Sequence, residues 1–114
     1  YNQIVSTREV GIDAVEGSSE PMRRDMHLNG DQLYQKGFVI SHNPENIPKA
    51  GSCIFAHLWR APGKPTAGCT AMSSIDMNAL LLWLDNDKKP LFVLLPTSEY
   101  QRLQASWHLP PLKD

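Results

Sequence analysis

The stretch between Gly51 and Met72 constrains this chain more than any other. Gly51-Ser52-Cys53-Ile54-Phe55-Ala56-His57 is an apolar run that ends on a histidine. Cys69 follows that histidine by twelve positions, inside Thr66-Ala67-Gly68-Cys69-Thr70-Ala71-Met72. Alternation with a period of two over residues 52–59 puts Cys53, Phe55, His57 and Trp59 on one strand face. Ile54, Ala56 and Leu58 fall on the other. Both faces are mostly apolar, so the expected strand is central and buried on both sides. Residues 60–68 then form a loop whose freedom is limited by Pro62-Gly63 and Pro65. Loops held by a rigid scaffold are where catalytic side chains concentrate.

A cysteine and a histidine so placed make a nucleophile and base pair. The thiolate is the reactive form, and a neighbouring imidazolium lowers a thiol pKa from its reference of about 8.5. Spacing alone does not bring the two together. Taken singly, Cys69 also reads as a small buried hydrophobe, and His57 as a satisfied core histidine. A base also needs an acceptor that orients its second ring nitrogen, and no Asp or Asn stands out for that role. His57, Cys69, Cys53 and His42 are all possible zinc donors, but no Cys-x-x-Cys or His-x-x-x-His spacing is present, so a metal is not expected.

The wording around the pair resembles the YkuD-like L,D-transpeptidase catalytic domain. His57 matches that family's histidine after a hydrophobic strand. Thr66, Gly68 and Cys69 match its Ser/Thr-x-Gly-Cys segment, and Pro65-Thr66-Ala67-Gly68-Cys69 is closest to one branch. The likeness takes in Tyr1-Asn2, Ser19-Glu20-Pro21-Met22-Arg23-Arg24, His42-Asn43 and Leu94-Leu95-Pro96. The resemblance implies an α+β fold: a β-sandwich core, a helix after the nucleophilic cysteine, and a short C-terminal helix. It implies Cys69 as nucleophile, His57 as base with a backbone carbonyl as orienting partner, and peptidoglycan stem peptides as substrate. Backbone N–H groups around Gly68 to Thr70 would hold the oxyanion. No metal or organic cofactor is implied, and the location would be periplasmic or secreted. Two departures stand out: Leu58 where a glycine often follows the histidine, and Ala71 where an arginine often sits two residues after the cysteine.

Substrate carboxylates must then be met by another cation. Arg23 and Arg24 are expected first and Arg60 second, since the planar guanidinium suits carboxylates. The bland reading of Met22-Arg23-Arg24 is a solvated basic turn. Trp59, Thr66 and His42 are expected to line the same cleft, the plain readings being a core aromatic for Trp59 and a surface strand end for His42. Cys53 is expected to be a buried, unreactive thiol, unbridged to Cys69 and on the His57 strand face. Three functions stay open. They are a transpeptidase, an L,D-carboxypeptidase or other cysteine peptidase or amidase, and a non-catalytic cell-wall-binding domain.

A chain of 114 residues suits one domain, with 41% hydrophobic and 20% charged residues excluding disorder. The formal net charge of −1 gives no case for nucleic-acid binding. No run approaches the ~18 apolar residues of a membrane helix, so membrane insertion is not expected. The chain begins at Tyr1 without a methionine. It reads as a processed product whose export signal lies upstream.

The expected elements are a short strand over 1–5, a helical turn over 31–36 stopped by Gly37, and a strand over 38–42. The loop over 43–51 leads to the central strand. A helix over 75–84 is capped by Ser73 or Ser74, with Asp76 at capping-box spacing. A buried strand over 91–95 follows, then a helix capped by Thr97 or Ser98 and carrying Tyr100 and Leu103.

Overall fold

The computed structural model describes residues 1–18, 22 and 30–113, in two compact units, Tyr1–Leu84 and Asp85–Asp114. The architecture is α+β. In the first unit, strands β1 (Gly37–Val39), β2 (Phe55–Leu58) and β3 (Thr70–Met72) form a mixed sheet in that order. β2 runs antiparallel to β1 and parallel to β3. All of β2 is buried, as its two apolar faces require. Helix α1 (Thr7–Val10) is a single turn, and α2 (Ser74–Trp83) follows β3 directly.

Close pairing of β1 and β2 depends on Gly37. It lies opposite His57, and a Cβ built there would run into the Ala56 backbone carbonyl. The glycine expected to stop a helical turn instead opens a strand. Residues 31–36 hold only a hydrogen-bonded turn, in which the Gln35 N–H donates to the Gln32 carbonyl.

α2 starts where the sequence places its cap. The Asp76 N–H donates to Ser73 Oγ at 3.0 Å, and the Ser73 hydroxyl donates to the Asp76 carboxylate at 2.7 Å. One otherwise orphaned helix donor is thereby satisfied. Met77, with no exposed surface, packs against Ala56 and Leu58 to make the core, joined by Phe38, Ile40 and Met72. The spacing of Leu80, Leu81 and Leu84 sets them on one side of the helix. Met77 is the fully buried residue, Leu80 and Leu84 are half-buried, and Leu81 is exposed.

Several expectations need correction. Residues 1–5 form no strand: Asn2 has φ +53, which breaks extended backbone. β3 was not anticipated: a short strand stands between the loop that ends on Cys69 and the helix that follows it. The central strand begins at Phe55, and Cys53 with φ +56 lies outside it.

In the second unit, a 3-10 turn at Asn86–Lys88 ends on Lys89 in the left-handed region. Helix α3 (Thr97–Leu103) is preceded by Pro96 as its cap residue, with no side-chain cap bond from Thr97 or Ser98. The Tyr100 hydroxyl donates to the Pro110 carbonyl at 2.8 Å. Residues 91–95 are not a buried strand: among the described residues no strand pairs with them, and Leu91 is 90% exposed. An apolar run becomes a strand only when another strand takes its backbone groups. Among the described residues, no helix is long and apolar enough to cross a membrane.

Candidate functional site

The parallel pairing of β2 and β3 assembles the site. His57 is the ladder partner of Ala71, and Ala56 that of Thr70. Ladder partners project to the same face, as do residues two apart on one strand. Cys69 directly precedes β3, at the end of the loop that feeds it. Cys69 and His57 both line one cleft of about 640 Å³, together with Cys53, Trp59, Arg60 and Lys64.

The His57 ring is fixed on three sides. It is only 4% exposed, with Tyr34 edge-on at 5.2 Å and Phe55 at 5.6 Å between ring centroids. Its Nδ1 lies 2.7 Å from the Leu58 carbonyl oxygen. A carbonyl only accepts, so Nδ1 carries the proton, and in the neutral ring Nε2 is the basic nitrogen. The orienting acceptor is thus backbone, and no carboxylate is needed.

Cys69 is half-buried, and its Sγ–H donates to the Cys53 carbonyl at 3.0 Å. Neither cysteine is in a disulfide. The loop before Cys69 is stapled by Thr66, whose hydroxyl donates to the Cys69 carbonyl at 2.6 Å and accepts from the Gly68 N–H at 3.2 Å. Thr66 lines the cleft, but its hydroxyl is committed to the turn. The Gly68 N–H, expected to face an oxyanion, is engaged by that same hydroxyl. Thr70 is held in the ladder opposite Ala56.

The remaining expected residues divide. Trp59 and Arg60 line the cleft, though Arg60 Nε donates to Asp31 at 3.0 Å. His42 does not line it; it lines a second cleft of about 410 Å³, and its Nε2 donates to the Ala50 carbonyl at 3.0 Å. Arg23 and Arg24 lie outside the described residues. Cys53 is not buried on the β2 face; it is half-buried and borders both clefts.

Sequence reasoning missed Tyr34, Lys64 and Asn2. Lys64 was legible, as a cation between Gly63 and Pro65 in the loop leading to the cysteine. Its side chain makes no ion pair among the described residues. Tyr34 and Asn2 reach the site from far along the chain, and no local pattern marks them. Among the described residues, no three His, Cys, Asp or Glu side chains converge to hold a metal ion.

No family model, curated protein or solved structure matches this chain. A thiol and a basic imidazole nitrogen in one solvent-reached cleft are the parts that acyl transfer through a thioester requires.

Proposed function

We propose that this chain is a peptidoglycan L,D-transpeptidase that works through a cysteine thioester. The observation that carries the reading is the shared cleft of Cys69 and His57, with Nδ1 of the histidine committed to the Leu58 carbonyl. That leaves Nε2 to take the thiol proton. The resemblance of the Pro65 to Cys69 wording to the YkuD-like family supplies the substrate class. The finer fold, a β-sandwich of the L,D-transpeptidase type, belongs to the same proposal, as does a periplasmic or secreted location.

In this scheme Cys69 Sγ attacks the carbonyl at the L-centre of diaminopimelate in a stem tetrapeptide, and its proton passes to His57 Nε2. The tetrahedral oxyanion collapses, the bond to the terminal D-alanine breaks, and His57 returns the proton to the leaving amine. A thioester remains on Cys69. An amine acceptor then gives a cross-link or an exchanged D-amino acid, with the thiol regenerated. Water in that step gives an L,D-carboxypeptidase. The exposure of residues 64–68, which line the cleft, favours that second outcome as a side reaction.

The test is incubation of the protein with stem tetrapeptides, with and without a D-amino acid acceptor, and mass spectrometry of products and intact protein. The expected result is loss of D-alanine, an acyl mass on Cys69, and neither in Cys69→Ala. Cleavage of ordinary peptides at a similar rate would favour a general cysteine peptidase. An inert Cys69 thiol would favour a binding domain.

A further inference from the structure

Asn2 uses its whole side-chain amide on one loop. Its Nδ2 donates to the carbonyls of His42 at 2.8 Å and Asn43 at 2.7 Å, where the loop leaves the first strand region. Its Oδ1 accepts the Cys53 N–H at 3.2 Å, where the loop returns. Its own backbone N–H donates to Ser52 Oγ at 2.8 Å. One residue thus clasps both ends of the loop. Within it, Asn43 Nδ2 adds bonds to the Ile47 and Gly51 carbonyls.

The clasp closes on a strained residue. Cys53 has φ +56, a left-handed conformation that costs a residue with a Cβ about 1–2 kcal/mol. Such a conformation persists only where its surroundings hold it, and the bond from the Cys53 N–H to Asn2 is one such hold. In that conformation the Cys53 carbonyl points at Cys69 and accepts its Sγ–H at 3.0 Å. Asn2, Cys53 and Cys69 therefore form one chain of contacts, spanning most of the first unit in sequence.

We propose that Asn2 is a positioning residue for the Cys69 thiol, acting through the Cys53 carbonyl; this rests on Cys69 being the nucleophile proposed above. A hydrogen bond to the neutral thiol holds the proton on sulfur and fixes the side-chain rotamer until His57 accepts that proton. Breaking the clasp lets the Cys53 peptide turn away. The thiol then loses a fixed acceptor and gives up its proton more readily, but it meets substrate in a less defined orientation.

The test uses the full chain carrying Asn2→Ala, with Asn2→Asp as second variant and Gln3→Ala, at an exposed neighbour, as control. Iodoacetamide alkylation is followed across pH and read at Cys69 by peptide mapping. Among the described residues, the other titratable or charged groups bordering the cleft are His57, Cys53, Tyr34, Arg60 and Lys64, and all stay as they are. Below the parent midpoint, alkylation of Cys69 in Asn2→Ala is expected to rise about threefold to tenfold, for loss of one hydrogen bond to the neutral form. On stem tetrapeptide, kcat should fall about tenfold to a hundredfold with KM little changed. If Asn2→Ala does not fold, Asn2→Asp carries the test, because it sets an oxygen against the His42 and Asn43 carbonyls while keeping the acceptor for Cys53. A smaller shift in the same direction is expected there. A folded variant with the parent's alkylation profile overturns the positioning role, even if its melting temperature drops. Alkylation needs no substrate, so that result is distinct from turnover by Cys69→Ala, which overturns the proposed function.

Discussion

The Nδ1–H of His57 donates to the carbonyl of its own neighbour, Leu58, at 2.7 Å. The proposed base is oriented by the strand that carries it, and among the described residues no carboxylate takes that role. The Leu58 side chain is therefore irrelevant to the orientation, and its carbonyl is not. Leu58→Met keeps the carbonyl and nearly the volume, and should keep turnover within about threefold, since such swaps usually cost under about 1.5 kcal/mol. His57→Gln should lower kcat by about a hundredfold to ten-thousandfold. Stem-peptide turnover by mass spectrometry checks both; comparable losses in the two variants would contradict backbone orientation.

The cations at the cleft are not equivalent. Arg60 is already bound to Asp31, whereas Lys64 has no ion-pair partner among the described residues. A hydrogen bond to a charged group contributes about 1.5–3 kcal/mol, so Lys64→Ala should reduce kcat/KM about tenfold to a hundredfold on a substrate bearing carboxylates. Arg60→Ala should cost less. Kinetics on a stem peptide and on its amidated form would separate the two, because the Lys64 effect should vanish on the amide.

Gly37→Ala places a methyl group against the Ala56 carbonyl. The two strands must move apart or the residue must twist, and overpacking of this kind costs about 1–3 kcal/mol. A lowered denaturation midpoint is expected. Unchanged stability would mean that β1 pairs with β2 more loosely than the register implies.

The core rests on one helix side chain. Met77→Ala removes the fully buried contact with Ala56 and Leu58 and should cost about 2–5 kcal/mol. Leu82→Ala, at a position 90% exposed on the same helix, should change stability by less than about 0.5 kcal/mol. Ser73→Ala should fall between, at about 0.5–2 kcal/mol for a lost cap. Chemical denaturation of the three proteins gives the order directly.

What could be read from the sequence was local. Phe55 to Leu58 announces a strand buried on both sides because neither face carries a charge, and Ser73 with Asp76 announces a helix start three residues apart. What could not be read was set by partners. Thr70-Ala71-Met72 has no strand signature of its own and is a strand because β2 pairs with it. Residues 91–95 have the composition and lack the partner. Cys53 was placed on the strand by extending its period two residues too far, past a left-handed backbone that no composition shows. The contact of Asn2 with Cys53 crosses 51 positions, beyond the reach of any periodic pattern. The candidate pair itself was legible in its residue types, and its setting among Tyr34, Phe55 and the Cys53 carbonyl was not.

The parallel registry of β2 and β3 ties reactivity to the order of folding. Two parallel neighbours cannot be joined by a tight turn, so their pairing waits for the segment between them to cross over and close. Until that closure, Cys69 and His57 belong to separate stretches of chain. Rapid labelling of Cys69 during refolding would therefore time the arrival of β3 beside β2, a step that tryptophan fluorescence need not resolve.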